Sequence, residues 1–244
     1  MEFHDQVIAV CGAGNAFGRG VADALLRRGA RTVLTIGDPA AACADHAAHR
    51  TRCSAGGELI RLPDEALDRP RDIAARLGEL CHLDAVINLV ALSSKPTGEG
   101  GETCGDLIAH RTQRVVDAFG VLLRSKQRHG ALVNVGWWAP GPDGALGAAT
   151  AAAAGSLDVV TKALAKQLAP GIRVNAVLSL AVPAAGLKWP GEPEAEDVAK
   201  QLEEAAGPAL FLASTAARHM TGTVLLADAG RSLGFAAFSR PDEG

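Results

Sequence analysis

The chain has 244 residues, of which 48% are hydrophobic and 21% are charged, and its formal net charge is −3. This length predicts a single domain over residues 1–244, with a loose tail over 239–244. Acidic and basic residues are interleaved, which disfavours nucleic acid as a partner. No apolar run is long enough to cross a bilayer and no signal-like segment opens the chain, so we expect a cytoplasmic protein.

From the amino end, the first half of the chain predicts strand Gln6–Cys11, helix Ala16–Arg28, strand Thr32–Ile36, helix Ala40–Arg50, strand Glu58–Leu62, helix Arg71–Cys81 and strand Asp84–Val90. The second half predicts loop Ser93–Gly105, helix Asp106–Arg128, strand Ala131–Val135, helix Ala148–Leu168, strand Ile172–Val177, helix Pro193–Ala213 and strand Thr223–Ala227. Because the strands are continuous apolar runs, this alternation predicts an α/β fold: one doubly wound parallel sheet of seven strands with helices on both faces.

The first strand leads into a glycine-rich turn with the sequence VCGAGNAFGRG over residues 10–20. Such a turn can present backbone N–H groups and a helix N-terminus to a pyrophosphate. Gly12, Gly14 and Gly18 are the candidate residues for that contact. The same glycines could instead serve only the packing of strand, turn and helix.

Cysteines and histidines predict no metal site. The five cysteines form no Cys-x-x-Cys pair, and the seven histidines are scattered without ligand spacing. Reduced, mostly buried thiols are therefore expected.

Four further segments carry a family resemblance. They are DAVIN at 84–88, GALVNV at 130–135, LAPGIRVNAV at 168–177 and MTGTVLLADAG at 220–230. Together with the glycine turn, this series resembles the short-chain dehydrogenase/reductase (SDR) family over roughly residues 5–235. The resemblance implies a Rossmann-type sheet, NAD(P) at its carboxyl edge, and dimers or tetramers built through two long helices and the last strand.

The catalytic residues that the resemblance implies are all replaced. The family's asparagine, serine, tyrosine and lysine fall on Thr112, Trp137, Thr150 and Ala154, and the chain contains no tyrosine at all. Reduction of a carbonyl needs a proton donor, and a phenol serves when a lysine cation lowers its pKa. A threonine hydroxyl beside a methyl group cannot do this, so no catalytic residue is predicted.

The nucleotide positions are altered less completely. Cys11 and Ala16 replace a threonine and a glycine of the family, and Ile36 falls where NAD-preferring members have an acid. Asp38 could substitute for that acid, Asp64 or Glu65 could contact the adenine, and Asn88 opens a changed nicotinamide segment. We expect no required cofactor. Residual NAD(P) binding stays open through Gly12, Gly14, Gly18, Asp38, Asp64 and Asn88.

Two hypotheses follow from this pattern. The first is a catalytically silent subunit that stabilises or regulates a homologous active SDR, by analogy with hydroxyacyl-CoA dehydrogenases that contain one inactive subunit; self-association through the long helices is the other assembly considered. The alternative is a divergent enzyme, either an atypical NAD(P)H-dependent ketoreductase or a cofactor-independent cyclase or dehydratase. That enzyme would use the old cleft with Trp137, Trp138 and His110.

Overall fold

The computed structural model describes residues 2–14, 16–37, 49–53, 57–69, 71, 73, 82–92, 104–123, 130–138, 148–180 and 205–227. Its strands are β1 Val7–Cys11, β2 Thr32–Ile36, β3 His49–Arg52, β4 Glu58–Leu62, β5 Ala85–Leu92, β6 Gly130–Trp138, β7 Ile172–Leu180 and β8 Val224–Ala227. Its long helices are α1 Ala16–Arg27, α2 Cys104–Leu123 and α3 Ala148–Leu168, and residues 205–213 are also helical.

All strands join one sheet in the order β3-β4-β2-β1-β5-β6-β7-β8. The seven predicted strands pair in parallel, which confirms the doubly wound α/β prediction. An eighth strand, β3, adds to the edge antiparallel to β4. The helix predicted over Ala40–Arg50 is therefore wrong at His49 and Arg50, and residues 40–48 lie outside the described part.

Two apolar cores cover the two faces of the sheet. On one face, α1 and the helix at 205–213 pack Phe17, Val21 and Leu210 onto the strands. On the other face, α2 and α3 pack Phe119 and Leu164 onto them. Burial on both faces explains why the strands are continuously apolar in sequence.

The carboxyl edge of the sheet is stepped. β1 ends at Cys11, whose register partner on β5 is Asn88, but β5 continues to Leu92. β6 and β7 extend equally far and remain paired up to Trp138 and Leu180. These three strands therefore run farther than predicted. At this edge of the sheet they project beyond the ends of β1, β2 and β4.

Helix α2 begins two residues earlier than predicted, at Cys104 rather than Asp106. The loop predicted over Ser93–Gly105 is wrong at Cys104 and Gly105, because α2 begins at Cys104. Residues 93–103, and the predicted end of this helix at Arg128, lie outside the described part.

No helix among the described residues has the length and apolar character needed to span a membrane.

At the amino edge of the sheet, side chains of the family-like segments connect the strands to neighbouring elements. Arg173 on β7 donates to the main-chain oxygens of Leu212 and Ala217 at 2.9 and 3.0 Å, and to those of Ala213 and Ser214 at 3.5 and 3.2 Å. The carbonyls of Leu212, Ala213 and Ser214 lie at the end of the helix at 205–213, where helical partners run out, and that of Ala217 lies in the 3-10 turn that follows. Burial lowers the pKa of Arg173 from its ordinary value.

Asn175 connects the same strand to the segment leading into β8. Its Nδ2 donates to the carbonyl of Met220 at 2.8 Å, and its Oδ1 accepts the N–H of Thr223 at 3.0 Å. The hydroxyl of Thr221 accepts the N–H of Val174 at 3.1 Å. The motifs Arg-Val-Asn and Thr-Gly, distant in sequence, are thus two halves of one hydrogen-bonded structure.

Candidate functional site

The glycine turn after β1 packs tightly against the protein itself. Gly12 has φ +81°, and a Cβ there would lie 2.6 Å from the carbonyl oxygen of Leu89. A Cβ at Gly18 would lie 2.5 Å from the Cα of Ala13. The amides of Gly12 and Ala13 both donate to the carbonyl of Ile36 at 3.0 Å. Strand–turn–helix packing alone therefore accounts for glycine at positions 12 and 18.

An ion-pair cluster lies beside this turn. Asp64, in a short 3-10 helix after β4, binds Nη2 of Arg111 and Nη1 of Arg114 from α2, each at 3.3 Å. Arg114 also holds Asp68 through two contacts of 2.8 and 2.9 Å. That bidentate hydrogen bond lowers the pKa of the Asp68 carboxyl. Asp64, the expected adenine contact, is therefore already bound by two guanidinium groups.

The end of β2 offers no acid in its described residues. Ile36, at the family's acidic position, is fully buried, and Gly37 follows it with φ +83°. Asp38, the candidate substitute, lies outside the described residues. Cys11 at the end of β1 is fully buried as well. Burial raises the pKa of its thiol to about 12, with a smaller opposing effect from Arg111.

A buried polar chain crosses the sheet beneath the site. Nδ2 of Asn88 donates to Oδ1 of Asn134 at 3.0 Å and to Oγ1 of Thr112 at 3.4 Å. Asn134 in turn donates to the hydroxyl of Thr161 at 3.3 Å. All four side chains are fully buried. Thr112 and Asn88 thus tie α2 to β5, a contact that sequence reasoning missed together with the role of Asn134 and Thr161.

The structure also describes Trp137, Thr150 and Ala154, on which the resemblance places the family's serine, tyrosine and lysine. Trp137 lies near the end of β6, paired in register with Ala91 and Ser179. Thr150 lies in the first turn of α3, and Ala154 lies one turn later. The methyl group of Ala154 packs against a small apolar cluster that includes Ile108.

The side chains of Lys162 and of the candidate His110 are exposed. Lys162 is exposed and forms an ion pair with Asp158 at 2.7 Å on the same helix. His110 is exposed on α2. Within the described residues, no group of three His, Cys, Asp or Glu could hold a metal ion.

The described residues do not fit a bound dinucleotide. Ile36 provides no acceptor for ribose hydroxyls, and two arginines already bind the carboxylate of Asp64. The guanidinium of Arg111 also lies close to the glycine turn, with Nη2 3.3 Å from the position that a Cβ of Gly12 would take. Gly14 is partly exposed in the turn, and its role in nucleotide contact stays a prediction.

Comparisons with known proteins agree with this architecture. Residues 12–232 match the family model described as Enoyl-(Acyl carrier protein) reductase. The comparison with curated proteins gave no match.

Many solved structures share the fold. The chain is 25% identical to Pseudomonas aeruginosa RhlG in a complex with NADP, with 94% of this chain and 97% of that one covered and a TM-score of 0.63. An SDR-family oxidoreductase from Burkholderia thailandensis is 24% identical, with 94% of each chain covered and a TM-score of 0.64. Ligand-free aldohexose dehydrogenase from Thermoplasma acidophilum is 20% identical, with 98% of each chain covered and a TM-score of 0.63. Because the family model spans residues 12–232 and the chain shares its fold with these SDR structures, the chain belongs to the short-chain dehydrogenase/reductase family.

Proposed function

We propose that this chain is a catalytically silent SDR subunit that assembles with a homologous, catalytically intact SDR and stabilises or regulates it. One observation carries the proposal: the chain of 244 residues contains no tyrosine. An alkoxide formed by hydride transfer needs a proton in the transition state, and a positioned acid contributes about 10²–10⁴ in rate. The fully active relative that this chain would accompany could act on hydroxyacyl-CoA-type substrates.

The residues around Thr150, where the resemblance places the catalytic tyrosine, support the lack of catalytic activity. A phenol functions as an acid at neutral pH only with a nearby cation, and the residue one turn beyond Thr150 is Ala154, whose methyl packs among apolar side chains. Lys162 is the next lysine on α3, but it is exposed and paired with Asp158. Dinucleotide binding is likewise not required in this proposal, since Asp64 is engaged by Arg111 and Arg114.

An exposed face on α2 and α3 supports assembly. A surface cavity of about 550 Å³ is lined mainly by small residues of the two helices, among them Gly105, Ala152 and Gly155. Val159 in the same lining is 66% exposed, and a Cβ at Gly155 would meet no atom within 4 Å. Small residues allow close approach of backbones, and an exposed apolar side chain gains free energy when a partner covers it. The family resemblance implies that a related subunit would dock here.

Co-expression with intact SDR relatives encoded in the same genome tests the proposal. We expect native mass spectrometry to show a mixed oligomer, and the isolated chain to show no ketone-dependent oxidation of NADH or NADPH. A chain that forms only homomers beside every such relative would contradict the assembly. Turnover of ketones by the isolated chain at ordinary rates would contradict catalytic silence and favour the divergent-enzyme alternative.

A matched pair of variants locates the interface. Val159→Asp introduces a charge into the α2/α3 face, and we expect it to weaken the mixed oligomer at least about tenfold, because a buried unpaired charge is costly. Arg19→Glu changes an exposed residue of α1, on the opposite face of the sheet. That variant is expected to assemble like the wild type. Equal effects of the two changes would place the contact elsewhere.

A further inference from the structure

Four residues from different elements converge outside the carboxyl ends of β1, β2 and β4. Gly12 follows β1, Gly37 follows β2, Asp64 follows β4 and Arg111 comes from α2. A Cβ at Gly37 would lie 3.4 Å from Oδ1 of Asp64 and 3.7 Å from the Cα of Gly12. In an open α/β sheet, ligands bind in the crevice outside the carboxyl ends of the strands, where the strand order reverses. Here that reversal lies at β1 and β5.

Arg111 extends from α2 into this crevice. Its Nη2 is 3.3 Å from Oδ1 of Asp64 and also 3.3 Å from the position of a Cβ on Gly12. Its Nε is buried and has no hydrogen-bond partner among the described residues. Because this Nε–H group has no acceptor, the guanidinium is held beside the glycine turn chiefly by its ion pair with Asp64.

The pair also engages a carboxylate that a purine would otherwise use. Asp64 is the carboxylate available to accept a hydrogen bond from an exocyclic amine, and Arg111 and Arg114 occupy its two oxygens. The guanidinium beside Gly12 is a planar group of donors, which cannot accept a hydrogen bond from the exocyclic amine of a purine. A guanidinium of the protein itself therefore lies at this crevice, beside the glycine turn.

We propose that Arg111 is an internal plug whose ion pair with Asp64 excludes adenosine, and hence a dinucleotide, from the crevice of this chain. This inference rests on the proposed function, in which no cofactor is required, and it names the residue responsible. Arg114 has a different part: its shortest contacts are with Asp68, and it reaches the Asp64 carboxylate through Nη1 alone, with Nη2 donating to the main-chain oxygen of Asp64.

Adenosine is the appropriate probe, because it has no phosphate that a cationic side chain would attract. Isothermal titration of the isolated chain is expected to show at least about tenfold tighter adenosine binding by Arg111→Ala than by the wild type. Arg111→Met keeps most of the apolar stem but removes the guanidinium, and we expect a smaller gain. Circular dichroism melting verifies that each variant is folded.

Arg114→Ala is the matched control, since it frees one oxygen of Asp64 but leaves Arg111 over Gly12. It should bind adenosine no better than the wild type. The inference is overturned if folded Arg111→Ala and Arg111→Met both fail to gain affinity, if Arg114→Ala gains as much, or if the wild type already binds adenosine as tightly. Each of these results leaves the mixed-oligomer measurement untouched, so failure of the plug is separable from failure of the proposed function.

Discussion

At the amino edge of the sheet, Arg173 and Asn175 bind the chain around them, whereas at the carboxyl edge the apolar residues Ile36 and Ala154 stand where the resemblance implies polar groups. The amino-edge side chains satisfy carbonyls at a helix end and join β7 to β8. Those bonds stabilise the fold whether or not a ligand binds. A polar side chain that only binds a ligand at the carboxyl edge adds little to the stability of the sheet. The sheet therefore forms with the apolar Ile36 and Ala154 at these two positions.

The largest expected effect is at the amino edge. Arg173→Ala removes the side-chain donors to the main-chain oxygens of Leu212, Ala213, Ser214 and Ala217, of which the last two keep a main-chain donor. We expect the free energy of unfolding to fall by about 3–4 kcal/mol, because partly buried acceptors lose charged hydrogen bonds. Urea denaturation followed by circular dichroism measures this. Arg218→Ala, at an exposed neighbouring position, should change stability by less than about 0.5 kcal/mol; similar losses from both would refute the capping role.

Gly12→Ala tests whether the glycine turn serves packing. A residue with a side chain at φ +81° is strained, and its Cβ would collide with the carbonyl of Leu89. A loss of about 2–3 kcal/mol in unfolding free energy is expected even without any nucleotide. The comparison is Gly207→Ala, where a Cβ meets nothing within 4 Å. That helical position should gain up to about 1 kcal/mol; a neutral Gly12→Ala would show that packing does not require this glycine.

The buried thiol of Cys11 predicts a pH dependence. Its pKa is about 12 in the folded chain against an ordinary value of 9.0, so between these values the folded chain keeps a proton that the unfolded chain has lost. Stability from this group is complete below pH 9 and declines as pH rises towards 12, by at most about 1.4 kcal/mol per pH unit. Cys11→Val removes the thiol. The difference in unfolding free energy between wild type and variant should therefore shrink or reverse above pH 9; a difference that does not change with pH would contradict the buried, protonated thiol.

The smallest expected effect comes from rebuilding the catalytic residues. The triple change Trp137→Ser, Thr150→Tyr and Ala154→Lys places the family's residue types at its positions. We expect ketone-dependent oxidation of NADPH to rise less than tenfold, far short of the ~10²–10⁴ that a working acid supplies, because the nucleotide crevice remains plugged. Adding Arg111→Ala to the triple variant should raise turnover further. Full activity of the triple variant alone would show that the crevice is open to the dinucleotide.

Much of the fold was predictable because apolar periodicity reports burial directly. The strands from Thr32 and from Glu58 were predicted with correct bounds, and helix Ala148–Leu168 matches as well. Strand β3 was not predictable: His49-Arg-Thr-Arg52 has no apolar pattern, and its pairing with β4 at the sheet edge makes it a strand. The extensions of β5, β6 and β7 depend similarly on pairing between neighbours rather than on their own residues.

By itself, the sequence determined that no phenol can act in this protein, because a residue type that is missing from the chain cannot be supplied by folding. It also determined the order of the seven parallel strands, which is set by local patterns of apolar residues, but not the edge strand β3. Only the tertiary structure decided that Arg111 reaches Asp64, and that Arg173 caps a helix some forty residues later in the chain. Such contacts join groups distant along the chain, and their distances follow from how the layers pack.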